Sequence, residues 1–94
     1  MNTVRAQNSW YTYILRSLKD GKMYTGSTND LRKRFKEHAD GKSRSTRGRT
    51  PFELIYYEMC KDESDARVRE IYLKTGMGKR YIKNRLKRFL ALTV

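Results

Sequence analysis

The sequence predicts a mixed α/β domain of the α+β kind: a three-stranded antiparallel sheet flanked by three helices, in the order β-β-α-β-α-α. Three observations carry that expectation. An aromatic and β-branched run, Trp10 to Arg16, leads into an Asp20-Gly21 turn and a short returning segment, which reads as a hairpin. Apolar residues then recur at helical spacing in Leu31, Phe35 and Ala39, and again in Ile82, Leu86, Phe89 and Leu90. Between them Pro51 opens a third aromatic-rich run, Phe52 to Met59. The 94 residues suit one domain, expected over residues 10–94 behind a flexible tail at residues 1–9.

In the first strand Tyr11, Tyr13 and Leu15 share one face and Trp10, Thr12 and Ile14 the other. Both faces are bulky, so the strand should be central and covered on both sides. Lys19 to Lys22 makes the turn, and Lys22 to Gly26 returns antiparallel. Thr28 or Asn29 can cap the next helix, with Asp30 in its positive first turn and Gly41 closing it. Arg34 and His38, four residues apart, flank its apolar stripe, while Arg32, Lys33 and Lys36 point to solvent. Lys42 to Thr50 is a polar, basic loop. Strict alternation in the third strand puts Ile55 and Tyr57 on one face and Leu54 and Tyr56 on the other. Asp62 or Ser64 starts the second helix, Gly76 and Gly78 end it, and Lys79 to about Leu92 forms the third. The second helix reads as two-faced: Val68, Ile71 and Tyr72 on one side, and Ala66, Leu73 and Met77 on the other with Glu70 in their midst. A carboxylate so placed needs a cation or hydrogen bonds. A salt bridge to a nearby Arg and a metal ion both satisfy that need.

The net charge of +12 points to a polyanionic partner, since neutralised phosphates release condensed counterions. Lys42, Arg44, Arg47 and Arg49, in a loop without acids, are the expected nucleic-acid contacts. A single cysteine, Cys60, allows no disulfide within the chain and suits a reducing compartment. No apolar run approaches the ~20 residues of a membrane span, and no apolar leader opens the chain. The expectation is a cytoplasmic protein with no membrane partner.

Tyr13 in the first strand, Y-T-G at Tyr24 to Gly26, Arg34 eight residues after that glycine, His38 four further on and a lone Glu70 on a later helix together resemble the GIY-YIG nuclease domain. The stretch T-R-G-R-T-P-F-E-L-I-Y-Y-E strengthens the likeness, which covers nearly the whole chain from Trp10 and is strongest to the small stand-alone bacterial members. Tyr11 and Thr12 stand where that motif has Gly and Ile, and Thr25 stands where it has Ile. Asn84 matches the family's C-terminal asparagine poorly in spacing and is not counted.

The resemblance implies a GIY-YIG-like fold and a divalent-metal-dependent endonuclease that hydrolyses DNA, with a role in repair or recombination and RNA as the other substrate class. Tyr13 would orient or deprotonate water, Tyr24 would join its hydrogen-bond network, Arg34 would hold the phosphate and His38 would support it or relay a proton. Glu70 would hold one Mg²⁺ or Mn²⁺, with waters filling the other positions. No small-molecule cofactor is implied, and a monomer or weak dimer is expected. The alternatives are a catalytically weak or inactive nucleic-acid-binding module of the same fold, and an RNA- or ribosome-associated structural protein.

Overall fold

In the computed structural model, which describes residues 9–92, β1 (Trp10–Ser17) is the middle strand of a sheet ordered β2-β1-β3, with β2 spanning Met23–Thr28 and β3 Phe52–Cys60. Both pairings are antiparallel. β1 is central because its two faces serve two cores. Tyr13 and Leu15 pack with Phe52, Leu31 and Phe35 on the side of α1 (Leu31–Ala39). Ile14 packs with Leu73 and Ile82 on the side of α2 (Glu63–Leu73) and α3 (Gly76–Arg85). Burying a side chain such as Leu15, with no exposed surface, contributes about 2 kcal/mol.

Several local expectations change. Strict alternation along β3 fails because its ladder with β1 shifts between Ile14 and Leu15, leaving Ile55 unpaired in a β-bulge. Leu54 therefore packs on the α1 side, while the consecutive Ile55 and Tyr56 both pack on the α2 side. Asp30, rather than Thr28 or Asn29, caps α1 by accepting from the Lys33 amide. The buried stripe of α1 is also rotated. Ala39 is exposed and His38 is enclosed, because the helix turns its imidazole toward Tyr13.

Asp62 caps α2, which ends at Leu73. Gly76 and Gly78 do not end it but open α3, whose N-cap is Thr75. A Cβ on Gly78 would collide with the backbone of Tyr72 and Leu73, so glycine there lets α3 start hard against the end of α2. The expected third helix divides at Leu86 into α3 and α4 (Lys87–Leu92). The two-faced reading of α2 also fails. Ala66 and Leu73 are buried, but Val68, Ile71 and Met77 are exposed, because α2 covers the sheet with one side only. The expected tail at residues 1–9 lies outside the described residues except for Ser9, which is buried. No helix among the described residues is long and apolar enough to cross a membrane.

Candidate active site

Tyr13 and Gly26 are directly opposed in the β1–β2 ladder. That pairing sets the site. A Cβ on Gly26 would come within 2.6 Å of the Tyr13 hydroxyl and 3.1 Å of the Tyr24 ring. Gly26 lies inside β2 and is not among the positive-φ glycines, which are Gly21 and Gly41, so its role is close approach rather than an unusual backbone turn. Over this gap the Tyr13 and Tyr24 ring centroids stand 6.4 Å apart, and His38 lies 5.8 Å from Tyr13 and 5.1 Å from Tyr24.

His38 has no exposed surface. Its Nε2 meets the Tyr13 hydroxyl at 2.8 Å, and its Nδ1 meets Thr46 Oγ1 at 2.7 Å. Burial, reinforced by the neighbouring Arg34 cation, pushes its pKa down to about 4, so the imidazole is neutral near pH 7. A neutral ring has one donor and one acceptor nitrogen. In the tautomer with Nδ1–H donating to Thr46, Nε2 accepts a hydrogen bond from the Tyr13 hydroxyl, and a continuous hydrogen-bonded chain runs Tyr13–His38–Thr46. Burial also pushes the Tyr13 phenol up to about 12. The nearby Tyr24 adds to that rise, and a hydrogen bond from Arg34 opposes it.

Arg34 bonds Glu37 Oε1 at 2.8 Å and Ser43 Oγ at 3.2 Å, and the Glu37 hydrogen bond holds it firmly charged. α1 thus aims a fixed guanidinium at the two tyrosines. The basic loop supplies the supports that sequence reading missed, the buried hydroxyls of Ser43 and Thr46. Short polar residues in a charged loop read as solvated, and a loop has no periodicity to betray an inward side chain. The loop is in turn held to the hairpin: Ser17 Oγ donates to the Arg49 carbonyl at 2.6 Å and Lys19 Nζ to the Gly48 carbonyl at 3.1 Å.

Glu70 stands apart from this group. Tyr13 and Tyr24 face α1, which carries Arg34 and His38, whereas Glu70 lies on α2 and reaches the edge strand β2 from the other side. Its Oε1 accepts from Ser27 Oγ at 2.7 Å and its Oε2 pairs with Lys74 Nζ at 2.8 Å. The charge partner is a lysine one turn along the same helix, not an arginine. Glu70 is near enough for its charge to act on the Tyr13 hydroxyl. Of the loop cations, Lys42, Arg44 and Arg47 are exposed, while Arg49 is engaged by Asp20 at 3.1 Å and lies over Phe52. Asn84 is exposed on α3.

A tyrosine pair, a fixed arginine and a buried neutral histidine thus gather on one face of a small sheet, with one carboxylate on the other, in a chain whose sequence matches a nuclease-type domain. Residues 9–87 match the model of the GIY-YIG catalytic domain, and the chain belongs to that family. It is similar to a UPF0213 protein of Clostridium perfringens, at 46% identity over 65 residues that span 68% of this chain and 69% of the relative. A UPF0213 protein of Bacillus licheniformis is 44% identical over 68 residues, 71% of this chain and 69% of its own. The solution NMR structure of a UPF0213 protein from Bacillus halodurans superposes with a TM-score of 0.50 at 37% identity, covering 81% of this chain and 83% of that one.

Proposed function

We propose that this chain is a divalent-metal-dependent endonuclease that hydrolyses DNA phosphodiester bonds, in repair or recombination, and that it works from the face where Tyr13 meets His38. The observation that carries the reading is the buried Tyr13–His38–Thr46 path beside the fixed Arg34. Tyr13 holds the attacking water, and His38 Nε2 receives the proton that Tyr13 passes on. Arg34 spreads the charge that builds on the phosphate oxygens. Tyr24 confines the Tyr13 hydroxyl from the side.

Among the described residues no group of three His, Cys, Asp or Glu could cage a metal ion. The donor set suits an ion that keeps most of its waters, as Mg²⁺ does with one carboxylate and substrate phosphate oxygens. Glu70 is the residue that would hold it, with Ser27 fixing Oε1 and Lys74 leaving Oε2. When bound, such a cation supplies positive charge that neutralises the phosphate and favours loss of protons nearby.

The second reading, a nucleic-acid-binding module without turnover, is favoured by Lys74, which already neutralises Glu70. Nicking of supercoiled plasmid by the purified protein, with Mg²⁺ or Mn²⁺ against EDTA, decides between them. Wild type should nick only with the ion. Tyr13→Phe should lose about a hundredfold or more, the range of a positioned proton-transfer group, and Glu70→Gln should lose ion-dependent nicking with its metal ligand. Wild type that fails to nick with either ion supports the binding module, and full nicking by Tyr13→Phe removes the phenol from the mechanism.

A further inference from the structure

The α1 face of the sheet carries a second feature that the chemistry above does not use. A cleft of about 860 Å³ opens beside the N-terminus of α1, lined by Tyr11, Asn29, Leu31, Arg32, Phe35 and Tyr57, among others. The rings of Tyr11 and Tyr57 meet edge to face with centroids 5.8 Å apart, and Tyr57 is 53% exposed. A half-exposed aromatic at the middle of a strand gains little for the core. Tyr57 is also the direct ladder partner of Tyr13. Tyr11 stands where the family motif has glycine, so this chain has built a ring where the motif leaves space.

The rim of the cleft is polar and cationic. Arg32 has no ion-pair partner among the described residues, and the Asn29 amide is exposed. The Asp30 carboxylate is occupied in capping α1. Aromatic walls, an apolar floor of Leu31 and Phe35, and a guanidinium at the mouth match a flat heteroaromatic ring joined to a phosphate. An aliphatic ligand would leave the cation and the amide without a role.

We propose that this cleft takes an unpaired nucleobase of a single-stranded segment, stacked on Tyr57 against Tyr11, with Arg32 on the adjoining phosphate. The inference rests on the nucleic-acid reading above and sharpens it: the substrate carries an unpaired nucleotide next to the bond presented to Tyr13. A base inside a duplex is stacked on its neighbours and cannot enter, so the cleft selects strands with splayed or unpaired bases.

The test compares a fluorescein-labelled single-stranded dodecamer with a blunt duplex of the same sequence, by anisotropy in EDTA so that no cleavage intervenes. Tyr57→Leu keeps an apolar side chain of similar bulk without a π face, and Tyr57→Phe keeps the ring. The ratio of single-strand to duplex affinity should fall by about fivefold to a hundredfold in Tyr57→Leu, as expected for loss of one base–aromatic stack, and stay at the wild-type value in Tyr57→Phe. A strand carrying 2-aminopurine should lose emission on binding wild type and Tyr57→Phe but not Tyr57→Leu. An unchanged ratio in Tyr57→Leu, with wild type still binding, overturns the cleft proposal and leaves the nuclease reading standing. Wild type that binds neither probe overturns both. Tyr57→Leu that loses single strand and duplex in equal measure also refutes base stacking.

Discussion

Replacing Gly26 by alanine tests the central geometry. The added methyl would lie 2.6 Å from the Tyr13 hydroxyl oxygen and 2.7 Å from the ring carbon that bears it. The ring cannot swing aside cheaply, because Tyr13 is 1% exposed and bounded by Tyr24 and His38. Overpacking of this kind costs about 1–3 kcal/mol. Pushing the hydroxyl off His38 Nε2 leaves a buried polar atom unpaired, a further ~1–3 kcal/mol. The sum, roughly 2–6 kcal/mol, should lower Tm by about 8–48 °C in a domain of this size. Gly48→Ala is the control, since nothing lies within 4 Å of its added methyl. Differential scanning fluorimetry reads both variants. A Gly26→Ala protein that melts within ~2 °C of wild type would mean that the tyrosine hydroxyl does not press against β2, and the site as described would be wrong.

Acid should unfold the protein through His38 before the carboxylates respond. Its folded pKa of about 4 lies below the ordinary 6.5, so the unfolded chain binds the proton first as pH falls. Stability is then complete above pH 6.5 and declines by up to roughly 3 kcal/mol toward pH 4. Urea unfolding at pH 7.0, 5.5 and 4.5 should show this slope in wild type and a flatter one in His38→Gln. Thr46→Val removes the Nδ1 partner; it should cost about 1–3 kcal/mol and at least about tenfold in plasmid nicking, with Thr46→Ser restoring both. Converting Lys42, Arg44 and Arg47 to Gln should flatten the salt dependence of duplex affinity by about 2–3 in log–log slope. Arg49→Gln should lower Tm instead, because Arg49 is tied to Asp20 and Phe52.

The parts of the fold legible in the sequence were those with a strong period or a strong breaker. The two bulky faces of Trp10 to Arg16 announced a covered central strand, and the Asp20-Gly21 turn fixed the hairpin, with Gly21 at φ +74°. What escaped was non-local. The bulge at Ile55 leaves no mark on a run of apolar residues, yet it reverses the facing of everything before it. The rotation of α1 that hides His38 is favoured by a hydroxyl from a loop eight residues on, which no helical wheel contains. In α2, Val68 and Ile71 looked like a core face but meet solvent, because only one side of that helix has a sheet to cover. Tyr13, Tyr24, Arg34, His38 and Glu70 were singled out because their order and spacing resemble a family motif, and the fold brings the first four of them together. Ser43 beside Arg34, Thr46 beside His38 and Ser27 beside Glu70 were not singled out, since each meets its partner through one contact across the fold.

The proton path also constrains how the site can switch on. With Tyr13 near 12 and His38 near 4, moving the proton from phenol to imidazole in the resting site costs on the order of 10 kcal/mol. The pair is therefore neutral at rest, and in the proposed mechanism bound substrate must shift that balance. Both obstacles have electrostatic parts that a bound phosphodiester addresses. Burial disfavours each ion, and Arg34 adds to the depression of His38. A phosphate on Arg34 takes up that positive charge and places a negative one beside the imidazole, which raises the His38 pKa. It does the opposite to Tyr13, whose ionisation a second anion nearby disfavours. Among the described residues Arg34 offsets that at Tyr13, and Glu70 works against it. In the proposed mechanism, positive charge on the Glu70 side of β2 favours loss of the phenol proton once the phosphate is bound. Lys74 holds that position at rest, with its ammonium 2.8 Å from Oε2. In the proposed mechanism Glu70 would hold the divalent cation in place of Lys74, so phosphate and cation should bind with positive cooperativity.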